Sequence, residues 1–93
     1  MEEREYFISL YEYYGKLLTD KQQDFFEDYY YDNLTMEEIS INNNISKNAV
    51  SKQLINIKNK LNYYEDILRL LYKSNKIRSS INKDILKKIE EYI

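Results

Sequence analysis

Ninety-three residues carry 14 basic and 16 acidic side chains, with no His, no Cys, no Pro and a single Gly. The missing Cys and His exclude disulfides, thiolate metal sites, and the commonest general base and transition-metal ligand. The length allows one domain of modest core, and the near absence of Gly and Pro argues against a strand-rich fold in favour of helices joined by Asn, Asp and Ser turns.

The net charge of −2 hides a partition. Residues 1–40 hold eleven acids against three bases, or −8, and residues 41–93 hold five acids against eleven bases, or +6. From 41 to 64 there are four lysines (Lys47, Lys52, Lys58 and Lys60) and no acid. Such asymmetry points to an anionic partner for one part of the surface, while the overall acidity argues against tight non-specific DNA binding. No run of about 18 apolar residues and no charged-then-apolar leader is present, so the expectation is a cytoplasmic protein with no membrane contact.

The chain in order predicts five helices. Helix 1 is expected over 3–18, with Tyr6, Leu10, Tyr13 and Leu17 on one face and Phe7, Tyr11, Tyr14 and Leu18 widening it. Gly15 inside this pattern costs about 1 kcal/mol relative to Ala, which either a closely approaching neighbour helix or a position near the helix end explains. Thr19 and Gln22 form a capping box that opens helix 2, which runs to about Tyr31. Its Phe25, Phe26, Tyr29 and Tyr30 could stack on single-stranded bases, but the surrounding acids and the helical spacing favour a core role.

Thr35 and Glu38 make a second capping box and open helix 3, whose apolar contacts are Met36, Ile39 and Ile41. Asn42, Asn43 and Asn44 form a turn in which Asn44 takes the left-handed conformation, and Ile45 plugs it. Ser46 caps helix 4, expected to reach about Tyr72, roughly 40 Å at 1.5 Å per residue, with a weak point for a bend near Asn62. Its apolar residues Val50, Leu54, Ile57, Leu61, Tyr64, Leu68 and Leu71 alternate spacings of four and three, a heptad seam for packing within the monomer or for a two-fold dimer. Ser74 and Asn75 interrupt the pattern. Ser79, Ser80 and Asn82 read as the start of a last helix over about 80–92, lined by Ile81, Ile85, Ile89 and Tyr92, with Leu86 and Ile93 beside them.

Helices 3 and 4 have the residues that a helix-turn-helix needs. Ser40 is small where the helices cross, Asn44 accepts positive φ, and Ile39, Ile45, Val50 and Leu54 lock the angle. Ala49 is small and faces inward. A capped terminus at Ser46 lets the first turns of helix 4 meet a groove. The outward positions are then Lys47, Asn48, Ser51, Lys52 and Ile55: Asn48 suits adenine, Lys47 or Lys52 guanine or phosphate, and Lys58 and Lys60 phosphate. Short two-helix corners in ordinary helical domains imitate this pattern, and a solvated Lys/Asn face is the plain alternative. The adjacent carboxylates Glu37–Glu38 and Glu90–Glu91 point about 100° apart on a helix and form no facing pair, and no phosphate loop or nucleophile motif exists, so catalysis is not expected.

The run Leu18-Thr19-Asp20-Lys21-Gln22-Gln23, then Tyr29-Tyr30, Leu34-Thr35-Met36-Glu37-Glu38-Ile39 and Ile45-Ser46-Lys47-Asn48-Ala49-Val50 resembles the promoter-reading fourth region of bacterial sigma factors. It is more similar to the YlxM-like (UPF0122) proteins, a small helix-turn-helix family, as are Tyr13-Tyr14-Gly15-x-Leu17-Leu18 before the motif and the long helix after it. The likeness covers about residues 6–72. It implies an all-α fold, recognition-helix positions at Ser46, Lys47, Asn48, Ala49 and Val50, and an accessory role in the signal recognition particle pathway, whose GTPase gene lies beside the family's genes. The chain departs from the family pattern in Lys47 for Arg, which loses the bidentate fork, Asn44 for Gly and Ser40 for Ala.

The expectation is therefore an all-α single domain spanning 1–93, sigma-region-four-like, with a helix-turn-helix core at 19–61, a long recognition and packing helix, and a C-terminal helix. It binds as a homodimer, without a cofactor and not as an enzyme. Ser46, Lys47, Asn48, Ser51, Lys52, Ile55 and Lys58 face DNA or the signal recognition particle RNA. The alternative is a protein-interaction or RNA-binding module that acts on the particle's GTPase through the acidic, aromatic helices 1 and 2.

Overall fold

Two reciprocal capping boxes set where helices begin. In the computed structural model, which describes residues 2–80, 87, 88, 90 and 91, the Thr19 and Thr35 hydroxyls accept from the Gln22 and Glu38 amides, and those side chains accept from the Thr amides in return. The helices are α1 (Glu3–Tyr14), α2 (Asp20–Tyr30), α3 (Met36–Asn43), α4 (Lys47–Leu68) and α5 (Leu70–Ser80), with a 3₁₀ turn at Gly15–Leu17. No strand occurs among the described residues, so the all-α expectation holds.

α4 is the spine. Val50, Leu54, Ile57 and Leu61 are buried along it, the four-three-four spacing that keeps one stripe of a helix facing inward. Onto that stripe α1 lays Phe7, Leu10 and Tyr14, α2 lays Phe25, Phe26 and Tyr30, and α3 lays Ile39. Each such side chain taken from water contributes about 1.5–3 kcal/mol. The seam serves the monomer through Leu61 and then fades: Tyr64 is half-buried and Leu68 exposed.

The joint between α4 and α5 departs from the sequence reading. α4 runs unbroken through Asn62, whose side-chain oxygen accepts from the Tyr6 hydroxyl, and it stops at Leu68 rather than Tyr72. Arg69 takes the left-handed conformation, with φ 54°, and its amide donates to the Glu65 carbonyl. Twenty-two residues make α4 about 33 Å long. The first amides of α5 then find partners from elsewhere. Leu71 and Tyr72 donate to the two Glu65 carboxylate oxygens at 3.1 Å, and Leu70 donates to the Tyr14 hydroxyl at 3.0 Å. That hydroxyl itself donates to Glu65 at 2.6 Å. One carboxylate and one phenol thus cap α5, satisfying donors that a new helix leaves open.

Other expectations are corrected in the same way. Ser74 and Asn75 lie inside α5, and Ser79 and Ser80 are still within that helix, donating back to the carbonyls of Lys76 and Ile77. Lys87, Lys88 and Glu90 are helical and exposed; Ile81, Asn82, Ile85, Leu86, Ile89, Tyr92 and Ile93 of the expected last helix lie outside the described residues. Tyr13 is exposed because the buried stripe of α1 runs through Phe7, Leu10 and Tyr14, and Leu17 is exposed in the 3₁₀ turn beyond the end of α1.

Gly15 follows the last residue of α1, and the atoms nearest its vacant side-chain position belong to that helix. A Cβ there would sit 2.9 Å from the Tyr11 ring. That ring is stacked on Phe26 at 4.1 Å, and its hydroxyl donates to Glu27.

Candidate nucleic-acid interface

α3, its turn and the start of α4 form the helix-turn-helix corner. Ile39 and Ser40 of α3 are buried where Val50 and Leu54 of α4 meet them. The Ser40 hydroxyl donates to the Glu37 carbonyl at 2.6 Å, so its burial leaves no polar group unmatched. Asn44 is left-handed at φ 53°. Its amide and that of Ile45 donate to the carbonyls of Ile41 and Ser40, which ends α3 sharply. Two apolar assignments fail. Ile41 is 70% exposed, since it follows Ile39 and Ser40 round to the outer side of α3, and Ile45 is exposed at the surface of the turn.

The Ser46 hydroxyl accepts from the Ala49 amide at 3.0 Å and fixes the first turn of α4. Ser46, Lys47, Asn48, Lys52 and Ile55 are exposed, Ala49 and Ser51 half-buried, and Val50 buried. No acid lies in that first turn. A helix N-terminus already carries positive potential, and Lys47 adds to it, so this end attracts anions.

Exposed positions on α4 recur at Asn48, Lys52, Ile55 and Asn59, with Asn56 beside them. Neither Asn56 nor Asn59 belongs to a sequence motif. The same four-three-four spacing that marks the buried stripe, counted from Asn48, identifies them as outward. An amide can serve adenine in a bidentate pair, and Ile55 can meet a thymine methyl.

Lys58 does not belong with these. Its ammonium lies 3.2 Å from Glu3 and is half-buried, with the Phe7 ring 5.6 Å away. Its charge is already matched across 55 positions of sequence. Lys60 reaches only the neutral Gln22 amide and keeps its charge.

Ser51, Ile55 and Lys58 also form one wall of an open groove of about 470 Å³, whose other walls include Glu3, Arg4, Tyr29 and Met36. Arg4 is committed there: it donates to the Tyr30 carbonyl at 2.6 Å and to the Asn33 side chain. It holds the end of α2 and the left-handed Asn33 that starts the turn into α3.

Around α1 and α2 the acids are exposed or half-buried. Burial, then the neighbouring Asp32 and Asp24, raise the Asp28 carboxyl above the usual range, a sign of crowded negative charge. Among the described residues no group of three or more acids is arranged to hold a metal ion, and no helix is long and apolar enough to cross a membrane.

Residues 1–92 match the model of the UPF0122 family, described as "Putative helix-turn-helix protein, YlxM / p13 like". The chain is similar to a UPF0122 protein of Malacoplasma penetrans, 38% identical over 82 residues, which is 88% of this chain and 72% of the relative. A UPF0122 protein of Ureaplasma parvum serovar 3 is 36% identical over 95% of this chain and 93% of its own length. For one from Caldanaerobacter subterraneus the identity is 39%, over 80% of this chain and 63% of the relative.

Proposed function

The chain belongs to the UPF0122 family of helix-turn-helix proteins, and we propose that it acts by binding nucleic acid along the outer face of α4. Read as one domain, it presents Lys47, Asn48, Lys52 and Ile55, with Ser46 and Ser51 at the edges, to a DNA groove or to RNA. Asn56 and Asn59 extend that face. The observation that carries this reading is the capped, acid-free start of α4 with Lys47, Asn48 and Lys52 in open water. The bland alternative, a merely solvated face, accounts for the lysines but not for Lys47 sitting in the first turn of a helix, where the macrodipole disfavours a cation.

The test is Lys47→Glu combined with Lys52→Glu. Both side chains are exposed, so helical circular dichroism should stay at the parent level while duplex affinity, read by fluorescence anisotropy, falls. With Lys58 occupied by Glu3, the contacts of Lys47, Lys52 and Lys60 contribute about −3 to the log–log salt slope. Unchanged affinity in a folded variant would sink the reading.

The exposed acids of residues 1–40 support a second reading, in which α1 and α2 engage a basic protein. The YlxM resemblance suggests the signal recognition particle GTPase. Tight, nucleic-acid-independent binding to that GTPase, lost on neutralising Glu12 and Asp24, would favour it. We also read the exposed Tyr63, Ile67 and Leu68 at the end of α4 as the place for two-fold pairing, which sedimentation equilibrium decides.

A further inference from the structure

α5 is basic in a way that its own stability does not explain. Lys73, Lys76 and Arg78 are its charged residues, and Arg69 immediately precedes it. All four are exposed, and the one salt bridge among the described residues lies elsewhere, between Lys58 and Glu3. Lys73 stands in the first turn, where the macrodipole disfavours a cation, and the like charges of Arg69, Lys73 and Lys76 recur at the four- and three-residue spacings that destabilise an isolated helix.

Arg69 adds a backbone cost. It occupies the left-handed position that ends α4, at φ 54° and ψ 34°, where Gly is the usual residue. The conformation costs a non-Gly residue about 1–2 kcal/mol, and a cation at the end of α4 recovers only about 0.3–1 kcal/mol through the dipole. The stabilising term is the smaller one. The guanidinium lies 4.4 Å from the centre of the Tyr72 ring, and the Lys76 ammonium is 5.9 Å from the same ring. An aromatic face orders both cations without neutralising either. The Glu65–Tyr14 cap fixes the start of the helix that carries them.

We propose that Arg69 and Lys76, ordered around Tyr72, together with the exposed Lys73 form a second contact for the sugar–phosphate backbone of nucleic acid, separate from the face of α4. A regular row of cations with no ion pair among the described residues and no acid between them fits a polyanion of regular charge spacing better than an acidic protein patch, whose charges would be fixed singly. The inference rests on the nucleic-acid reading above only for the kind of ligand; its residues are different, so the two fail separately.

Wild type is titrated with a fluorescein-labelled, mixed-sequence DNA duplex of about 30 base pairs, roughly three helical turns, across a salt series. Six contacts, three from each surface, give a log–log slope of about −5, against about −3 for α4 alone. Lys73→Gln with Lys76→Gln should flatten the slope by about 2 and weaken binding roughly sixtyfold near 0.1 M salt, because each released counterion contributes about a factor of eight there. Arg69→Gly should bind about eightfold more weakly and yet melt no lower than the parent, a divergence that a purely structural Arg69 cannot produce.

A wild-type slope near −3, or slope and affinity within twofold of wild type in the double Gln variant, overturns the inference. Loss in the Lys47/Lys52 variant with none in the α5 variant leaves the α4 reading standing alone; loss in the α5 variant only leaves this one. An α5 variant that keeps duplex binding but loses phosphatidylglycerol vesicles, or that loses self-association in sedimentation, assigns the stripe to a membrane surface or a second copy and also overturns it.

Discussion

Removing the Glu65 carboxylate tests how the two long helices are joined. In Glu65→Ala, the amides of Leu71 and Tyr72 lose their acceptors and the Tyr14 hydroxyl loses the group to which it donates. Losing a helix N-cap costs about 1 kcal/mol, within a range of about 0.5–2. The buried Tyr14 hydroxyl without an acceptor adds about 1–3 kcal/mol. The Tyr72 amide belongs to an exposed residue and turns to water, so the sum sits at about 2–4 kcal/mol. For a domain of this size that lowers Tm by roughly 10–20 °C. Glu65→Gln keeps one acceptor oxygen and should lose about half as much. Amide exchange separates a local from a global effect: Leu71 and Tyr72 should exchange faster than the Val50–Leu61 seam. A double-mutant cycle with Tyr14→Phe should give a coupling of about 1 kcal/mol or more, since the two side chains share donors. A Tm drop under about 3 °C, or Leu71 exchange at the parent rate, would show that α5 is held by something other than this cap.

Gly15→Ala sets two effects against each other. The backbone there is right-handed helical at φ −55°, so Ala should gain about 0.4–1 kcal/mol through the unfolded state. The Cβ meets the Tyr11 ring at 2.9 Å, and Phe26 and Glu27 hold that ring in place, so overpacking at about 1–3 kcal/mol wins. Denaturant midpoints should fall, and Tyr11→Leu should relieve the clash; a stabilised Gly15→Ala would mean that the ring swings freely. Alkaline titration reads Tyr14, whose hydroxyl is pushed up from 10.0 to about 12, first by burial and then by its hydrogen bond to Glu65. A raised folded value means that its contribution is complete below pH 10 and is lost as pH climbs through about 12, roughly 2–3 kcal/mol. Burial, then Glu27, raises Tyr11 in the same direction. Tyr14→Phe should therefore flatten the stability profile above pH 10, and an identical profile would contradict the assignment.

What was legible in sequence lay within one helical turn. Both capping boxes, the Ser46 cap, the left-handed Asn44 and the Val50–Leu61 stripe depend on residues at most four apart, and all appear as expected. The exposure of Lys47, Asn48 and Lys52 followed from the same stripe. What was not legible needs a distant partner. The end of α4 carries no Gly or Pro to mark it, and the Glu65 cap that starts α5 is shared with Tyr14, 51 positions away. Leu71 continues the heptad on paper and is indeed buried, but from a different helix, so the spacing fitted while the continuous rod did not exist. Lys58 looked like its neighbours until α1 placed Glu3 beside it.

The charge partition has a consequence for salt. If the acidic and basic halves held each other, many ion pairs would cross between them, and salt would unfold the chain. One pair is present among the described residues, and its Glu3 partner is largely exposed. An exposed pair contributes about 0–1 kcal/mol, so raising salt from about 0.05 to 0.5 M should move Tm by only a few degrees. The apolar seam of α4, which salt does not screen, carries the fold. The proposed nucleic-acid contacts respond differently: at a slope of about −5, the same tenfold rise in salt weakens binding about 10⁵-fold. Stability and binding should therefore separate cleanly in one salt series. A melting temperature that falls in step with affinity would show that the lysines of α4 and α5 serve the fold, and would remove the physical basis for placing a ligand on them.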